Sequence, residues 1–507
     1  MNDAKTTGRI GVVGLVAGPC LALALLVFAD LSPGHPEVAC TAAVALWMAV
    51  WWMTEALPLE ATALLPMVLF PALGVMDGKR VAQEYFNDII FLFVGGFLVA
   101  LAMQRWNLHR RIALRFLLAF GARPRRILAG FMAATAFLSM WISNTATTMM
   151  MVPIALAIIL NLEETLGRPK VSRYAVGAFL AIAYSASIGG IATPVGTPPN
   201  LVLLRMLSVY FPAAPAISFA QWTLFALPLS LLFLFLAWVY LSLAYAPRKE
   251  TFSVEREVFA RQLRRLGPMS WPEKVVLADF TLLVVLWLSR ADLELGRFTL
   301  PGWSRFFSAP DYLNDGVVAV ALALVLFVVP TRSPEAARIL DRDAIRRMPW
   351  NIVLLFGGGF ALARGFETSG LSTWLGERLS PLSAGPPLVT VLAICLLVTF
   401  LTELTSNTAT AQMLLPIMAG LSMAVGVHPL LFMIPAALSA SFAFMLPVAT
   451  PPNAIIFGTE RVRIADMARA GLVLNLLGAV LITLAIHFWG RLVFDMGAAG
   501  LPDWPVR

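Results

Sequence analysis

The fold follows from two stretches of the sequence, WISNTATTMMMVPIA at 141–155 and LTSNTATAQMLLPI at 404–417. Each places the polar tripeptide Ser-Asn-Thr inside a long apolar run, at 143–145 and at 406–408. An amide or hydroxyl without a partner is costly in apolar surroundings. Such a tripeptide therefore indicates a position with a role beyond packing. The second copy indicates that the chain contains a duplication.

Two further motifs are repeated in the same order around the tripeptides. Upstream, NDIIFLFVGGF ends at Phe97 and NIVLLFGGGF ends at Phe360, and each phenylalanine lies 47 residues before the next tripeptide asparagine. Downstream, TPVGTPPN at 193–200 matches LPVATPPN at 446–453. Three elements that recur in order along one chain predict two structural repeats.

The composition is that of a membrane protein. Of the 507 residues, 59% are hydrophobic and 13% are charged, and the mean hydropathy is +0.81. A soluble domain is about half apolar and about a quarter charged. We therefore predict an all-α polytopic membrane protein with about 11 transmembrane helices. The three cysteines lie in or beside apolar segments, with no metal-ligand or disulfide spacing.

The distribution of charge predicts the topology. The formal net charge is +8, but the basic residues lie in short segments between apolar runs, which argues against nucleic acid as a partner. With the N-terminus inside and eleven spans, 27 of the 37 Lys and Arg residues fall on the cytoplasmic side. This bias fits an integral protein of a bacterial cytoplasmic (inner) membrane. With an odd number of spans between the repeats, the two hairpins enter the membrane from opposite faces. The repeats are therefore predicted to be inverted.

The apolar segments divide the chain into five predicted parts. These are N-terminal scaffold helices at 1–87, a first inverted repeat at 88–215, scaffold helices and a cytoplasmic loop at 216–349, a second inverted repeat at 350–460, and a last helix with the C-terminus at 461–507.

Each repeat is predicted to contain a re-entrant hairpin and a broken helix. The hairpins, 127–161 and 387–424, carry the tripeptides at their tips, because the runs on either side are shorter than the ~20 residues that span a bilayer. The broken helices, 173–210 and 429–458, are interrupted at the Gly-Pro-rich motifs, since proline removes a donor and glycine frees the backbone.

The tips and breaks are rich in neutral oxygen and nitrogen groups, and the motifs contain no Arg or Lys. The polar side chains found there are those of Ser139, Ser143, Asn144, Thr145, Thr197, Asn200, Thr402, Ser406, Asn407, Thr408, Thr450 and Asn453. Oxygens at interrupted helices are ligands for hard cations, and the N-termini of half-helices attract anions. The pattern predicts a secondary transporter that holds Na⁺ beside an anion.

These motifs, together with WWMTEALPLEATALLP at 51–66, resemble the divalent anion–sodium symporter family over nearly the whole chain. That family carries dicarboxylates, citrate or sulfate. The resemblance implies a homodimer in the lipid bilayer, in which a static scaffold carries a moving transport unit by an elevator mechanism. It also implies that sodium ions are co-transported with a small di- or tricarboxylate.

The resemblance further implies roles for single residues. The first sodium site would use Ser139, Ser143, Asn144 and Gly196, and the second would use Thr402, Thr405, Asn407 and Ala449, several through backbone carbonyls. The carboxylates of the substrate would contact Asn144, Thr145, Thr197 and Pro198 from one repeat, and Asn407, Thr408, Thr450 and Pro451 from the other. Some members of the family have serine at the position of Thr197.

Several functions fit this pattern. The leading prediction is sodium-coupled symport of a C4-dicarboxylate such as succinate, malate or fumarate, or of citrate. The alternatives are a dicarboxylate exchanger or a sulfate transporter of the same architecture. An intramembrane enzyme is disfavoured, because the motifs contain no Lys, Asp or His that could pair with a nucleophile. Glu403 directly precedes the second tip, and either a supporting role or cation binding fits that position.

Overall fold

The structure is a computed structural model and describes residues 9–121, 123–247, 256–295, 298–333, 336–383 and 385–496. All five predicted parts include residues outside these ranges, and the longest such stretches lie in three of them. Residues 1–8 of the first part, 248–255 of the cytoplasmic loop and 497–507 of the C-terminal part lie outside the described residues.

The described chain is almost entirely α-helical, as predicted. Its first half contains α1 (Arg9–Phe28), α2 (Pro36–Thr54), α3 (Leu59–Thr62), α4 (Leu65–Ala72), α5 (Gly78–Glu84), α6 (Asp88–Arg105), α7 (Leu108–Phe120), α8 (Pro124–Ser139), α9 (Asn144–Leu166), α10 (Arg168–Gly190), α11 (Pro198–Tyr210) and α12 (Phe219–Tyr245). Its second half contains α13 (Arg256–Arg265), α14 (Trp271–Ser289), α15 (Asp315–Val328), α16 (Arg342–Arg346), α17 (Trp350–Ser369), α18 (Leu371–Leu379), α19 (Pro387–Thr402), α20 (Asn407–Val425), α21 (Leu430–Ser439), α22 (Pro451–Phe457), α23 (Ile464–Leu484) and α24 (Arg491–Val493).

The remaining regular elements are short. There are 3₁₀ turns at Trp303–Phe306, Pro310–Tyr312 and Ser380–Ser383, and a π-helical stretch at Ala485–Gly490 joins α23 to α24. Two small antiparallel hairpins pair β1 (Leu293–Leu295) with β2 (Phe298–Leu300), and β3 (Pro330–Ser333) with β4 (Ala336–Arg338).

The helices are those of a polytopic membrane protein, which confirms the predicted fold class. Within the described ranges, eight are long and apolar enough to cross a bilayer: Gly11–Phe28, Pro36–Thr54, Gly78–Arg105, Asn144–Leu166, Arg168–Gly190, Phe219–Tyr245, Asn407–Val425 and Ile464–Val493. Shorter apolar helices lie at Leu59–Ala72, Asp315–Val328, Pro387–Thr402 and Leu430–Ser439.

Each tripeptide joins two helices, at the tip where a hairpin was predicted. The first arms, α8 and α19, have 16 residues each, whereas the second arms, α9 and α20, have 23 and 19 residues. The second arms are therefore longer than the predicted half-length runs. Both continue until a glycine in the left-handed region ends them, Gly167 with φ 85° and Gly426 with φ 75°.

Both predicted broken helices are present. The first consists of α10 and α11, separated by residues 191–197, and the second consists of α21 and α22, separated by residues 440–450. Pro198 and Pro451 are the first residues of the second segments. Proline suits that position because its missing N–H would have no partner inside the helix.

One set of helices, which we call the site-bearing group, consists of α8–α12 and α19–α23. Side-chain hydrogen bonds connect the first repeat to helices outside both repeats. The Tyr184 hydroxyl on α10 donates to the Met467 carbonyl oxygen on α23 at 3.2 Å. The Ser230 hydroxyl on α12 donates to the Ile188 carbonyl oxygen on α10 at 2.7 Å.

A second set, the surrounding group, consists of α1–α7 and α13–α18. Arg111 on α7 forms a buried ion pair with Glu273 on α14 at 2.9 Å. Arg105 on α6 pairs with Asp341 at 2.7 Å, and the Tyr85 hydroxyl donates to the Ala63 carbonyl oxygen at 2.7 Å. Each group therefore has polar bonds of its own that connect distant parts of the chain.

Candidate functional site

The first hairpin tip holds its asparagine in one orientation. Ser143 is the N-cap of α9, and its hydroxyl accepts from the Ala146 N–H at 3.3 Å. Ser139, fully buried at the end of α8, donates its hydroxyl to Asn144 Oδ1 at 2.5 Å. The tip thus presents the carboxamide oxygen of Asn144 next to a buried hydroxyl.

The first break brings further oxygens to the same place. A methyl group built on Gly190 would lie 2.7 Å from Asn144 Oδ1 and 3.1 Å from the Gly196 carbonyl oxygen. Asn144 Oδ1 and the Gly196 carbonyl oxygen therefore both lie close to the Cα of Gly190. Gly190 was not among the predicted site residues, although the glycine pair at 189–190 directly before the break was a signal.

The second tip repeats this arrangement. Thr402, fully buried at the end of α19, lies five residues before Asn407, as Ser139 lies five before Asn144. The Thr402 hydroxyl is the donor in two contacts, one to Asn407 Oδ1 at 2.8 Å and one to the Ala440 carbonyl oxygen at 2.9 Å. The Thr405 hydroxyl donates to the Leu401 carbonyl oxygen at 3.0 Å.

Both breaks are held in shape by an asparagine of the Pro-Pro-Asn motif. Asn200 Nδ2 donates to the Thr193 carbonyl oxygen at 2.8 Å, and Asn453 Nδ2 donates to the Leu446 carbonyl oxygen at 3.0 Å. In each case the acceptor lies seven residues earlier in the chain. These two asparagines, named as candidates in the sequence, are buried supports of the loops that carry Gly196 and Ala449.

The two repeats meet at the breaks. The Thr197 hydroxyl lies 3.3 Å from the Ser441 hydroxyl, and both side chains are buried. The structure thus places a residue of the first break against the second break. No sequence motif identified Ser441, because it lies outside the repeated octapeptide.

Four helices begin at predicted site residues: α9 at Asn144, α11 at Pro198, α20 at Asn407 and α22 at Pro451. The first backbone N–H groups of a helix have no partner within it, but α11 and α22 begin with two prolines, which have no N–H. The next N–H of α11, that of Asn200, donates to the Thr197 carbonyl oxygen at 3.2 Å. The N-cap side chain of α20 makes no capping bond, so the first turn of α20 keeps N–H donors that an anion could use.

Access to the site differs between the repeats. Asn144, Thr145 and Asn407 are half-buried, so their side chains are reachable. Beside the second tip, Leu404 and Val448 are 69% and 84% exposed. The second tip and the second break therefore lie at the surface of the protein.

Glu403 lies beside the second tip and supports the second break. Its carboxylate accepts from the backbone N–H groups of Phe444, Met445 and Leu446 at 2.7, 2.8 and 3.0 Å. It also accepts from Asn475 Nδ2 on α23 at 2.7 Å. Met140 occupies the equivalent place in the first repeat, where its carbonyl oxygen accepts from the Thr193 hydroxyl.

The motifs, the fold and this site define a class of membrane transporter. Residues 19–496 match the family model of the sodium:sulfate symporter transmembrane region. The chain belongs to the divalent anion–sodium symporter family, as its motifs predicted. It is a transporter and not an enzyme.

Similar proteins extend over nearly the whole chain. A sodium-dependent dicarboxylate transporter, SdcS, from Staphylococcus saprophyticus is 45% identical over 494 residues, which cover 96% of this chain and 92% of that protein. SdcS from Staphylococcus aureus is 43% identical over 489 residues, which cover 94% and 91%.

Two solved structures share the fold at low sequence identity. The YdaH transporter of Alcanivorax borkumensis superposes with a TM-score of 0.57 at 15% identity, over 89% of this chain and 99% of that chain. MtrF of Neisseria gonorrhoeae superposes with a TM-score of 0.56 at 12% identity, over 96% and 100%.

Proposed function

We propose that the protein is a sodium-coupled symporter of a small divalent anion, a C4-dicarboxylate such as succinate, malate or fumarate, or citrate. The observation that carries the proposal is the repeated pair of a buried hydroxyl and a tip asparagine, Ser139 with Asn144 and Thr402 with Asn407, each beside a helix break.

The oxygens of these pairs support two sodium sites. Side-chain and carbonyl oxygens are the ligands that hard cations prefer. In the first site Ser139, Ser143, Asn144 and Gly196 would contribute them, and the position of Asn144 Oδ1 and the Gly196 oxygen beside Gly190 supports this set. In the second site Thr402, Thr405, Asn407 and Ala449 would contribute them.

The carboxamides couple the cations to the anion in this proposal. Each asparagine gives Oδ1 to a sodium ion and Nδ2 to a substrate carboxylate, so one side chain serves both. The proposed substrate contacts are Asn144, Thr145, Thr197 and Pro198 of the first repeat and Asn407, Thr408, Thr450 and Pro451 of the second. Because the motifs contain no Arg or Lys, the sodium ions would neutralise the anion, which would then bind well only in their presence.

Two further observations favour a dicarboxylate. Both staphylococcal relatives are named sodium-dependent dicarboxylate transporters. The N-termini of α9 and α20 begin without proline and lie in opposite repeats, and a substrate with two separated carboxylates would use both.

For alternating access, we propose that the site-bearing group moves as a unit against the surrounding group. The hydrogen bond from Ser230 to Ile188 favours assigning α12 to the moving unit and not to the scaffold part at 216–349. We further propose a homodimer in a bacterial inner membrane, with the N-terminus inside as the excess of basic residues predicts.

Uptake of radiolabelled succinate into proteoliposomes tests this function. Three conditions are compared: an inward sodium gradient, an inward potassium gradient, and unlabelled succinate inside without sodium. Uptake with sodium alone supports symport, whereas uptake only against internal succinate identifies an exchanger and overturns sodium coupling. If none of the conditions gives succinate uptake, the same comparison with citrate and with sulfate decides between the remaining anions.

A further inference from the structure

Few side-chain bonds connect the site-bearing group to the surrounding group, and three of them lie at one end of the molecule. Glu84, at the end of α5, pairs with Arg205 of α11 at 2.5 Å. The Tyr210 hydroxyl of α11 donates to the Ala363 carbonyl oxygen of α17 at 2.7 Å. The Phe219 N–H, at the start of α12, donates to an Asp315 carboxylate oxygen at 3.2 Å.

We call this end the outer face, because chain direction separates it from the basic segments. Glu84 precedes α6, whose 18 residues run to the arginine-rich helix α7 at the opposite end. Helix α17 likewise starts after the basic segment 342–347 and reaches Ala363 and Arg364 in its last two turns.

Glu84 is shared by both groups. One of its carboxylate oxygens binds Arg205 of the site-bearing group, and the other binds Arg364 of α17 at 3.1 Å. The Glu84 side chain is 7% exposed and that of Arg205 is 15% exposed. Because both are largely removed from water, loss of one partner would leave a charge buried without compensation.

We propose that Glu84, Arg205 and Arg364 form a latch that bonds the two groups to each other at the outer face and is released when the site-bearing group moves. The proposal rests on the transport function proposed above. Any displacement of α11 along α17 carries Arg205 away from Glu84, while Arg364 remains beside it. The latch thus stabilises the conformation described here and sets how often the site-bearing group leaves it.

The same cluster supplies a matched control. Arg364 also pairs with Glu367 at 3.3 Å, but both residues lie on α17, so this pair does not connect the two groups. Glu84→Gln and Glu367→Gln each remove one carboxylate from Arg364. Only the first removes a link between the groups.

Distances between two spin labels test the latch in the full-length reconstituted protein. Lys79 on α5 and Ser208 on α11 are exposed, and both are changed to cysteine after Cys20, Cys40 and Cys395 are changed to serine. We expect Glu84→Gln and Arg205→Gln to raise the ratio of the long to the short distance population by roughly tenfold. Arg205→Lys and Glu367→Gln should leave the ratio near that of the parent protein.

Unchanged distances in both Glu84→Gln and Arg205→Gln would overturn the latch, as would an equal shift in Glu367→Gln. If Glu84→Gln does not fold, the comparison of Arg205→Gln with Arg205→Lys decides. The distances are measured without sodium or succinate. A parent protein that takes up no substrate would therefore overturn the proposed function without changing the outcome for the latch.

Discussion

Asn144 and Asn407 carry an acceptor and a donor in one side chain, and both acceptors already face a buried hydroxyl. We therefore expect Asn144→Ala and Asn407→Ala each to weaken sodium and succinate together. A hydrogen bond to a charged group contributes about 1.5–3 kcal/mol, so both half-saturation concentrations should rise roughly tenfold or more. Initial uptake rates over a series of sodium and succinate concentrations measure both values.

Asn161→Ala provides the control for this pair, because Asn161 is exposed on α9, away from the tip. It should behave like the parent protein. Parent-like sodium dependence and substrate affinity in either tip variant would contradict the shared-ligand arrangement.

A second prediction concerns Gly190. Alanine is the better helix former by about 1 kcal/mol, so propensity alone would make Gly190→Ala harmless. Its methyl group would nevertheless lie 2.7 Å from Asn144 Oδ1, too close for an undisturbed oxygen. We expect this variant to fold but to lose sodium-dependent uptake by at least tenfold. Gly78→Ala, whose methyl would find its nearest neighbour at 3.7 Å, should retain it.

At the scale of single elements, the second break depends on one carboxylate. In Glu403→Gln the amide group has a single acceptor oxygen for the backbone N–H groups of Phe444, Met445 and Leu446. Each buried donor left unpaired costs about 1–3 kcal/mol. We expect a lower melting temperature in detergent and weaker sodium binding, with an unchanged melting temperature in the exposed control Glu377→Gln. Parent-like stability and sodium binding in Glu403→Gln would show that the break does not need this carboxylate.

His428, two residues before helix α21, accepts a hydrogen bond from the first N–H of that helix. His428 Nδ1 accepts from the Leu430 N–H at 3.2 Å, and burial lowers the pKa of His428 to about 4. The unfolded side chain titrates near about 6.5, so it binds more protons than the folded one between these values. The contribution of His428 to stability is therefore complete above about pH 6.5 and is lost as the pH falls to about 4.

Melting temperatures of the parent protein and of His428→Asn, measured from pH 7.5 to 4.5, test this dependence. Asparagine accepts the same bond without titrating, so its melting temperature should fall less over this range. An equal fall in both proteins would assign the acid sensitivity to other groups.

The sequence predicted some of these features and could not predict others. The tripeptides and the Pro-Pro-Asn motifs located the tips and breaks because polar and helix-breaking residues are conspicuous in apolar runs. The sequence did not predict that Ser441 meets Thr197, because that contact depends on how the repeats pack. The role of Glu403 was also open, since its four donors lie 41 to 72 residues away.

For the whole molecule, sodium binding should increase the stability of the folded protein. A ligand that binds only the folded protein stabilises it by about 2.7 kcal/mol at one hundred times its dissociation constant. We expect sodium chloride to raise the melting temperature in detergent and an equal concentration of potassium chloride to leave it unchanged. The double variant Asn144→Ala/Asn407→Ala should lose the difference between the two salts, and a difference that persists would move the cations to other residues.

The two breaks are supported by different groups, and this difference bears on the order in which the ions bind. Glu403 stands in the second repeat where the first has only Met140, so the second of the two proposed sodium sites would have a carboxylate nearby that the first lacks. We therefore expect the second proposed site to fill first as sodium becomes available. Filling of the first proposed site, which lies next to Gly190, would then determine when the protein can bind its anion.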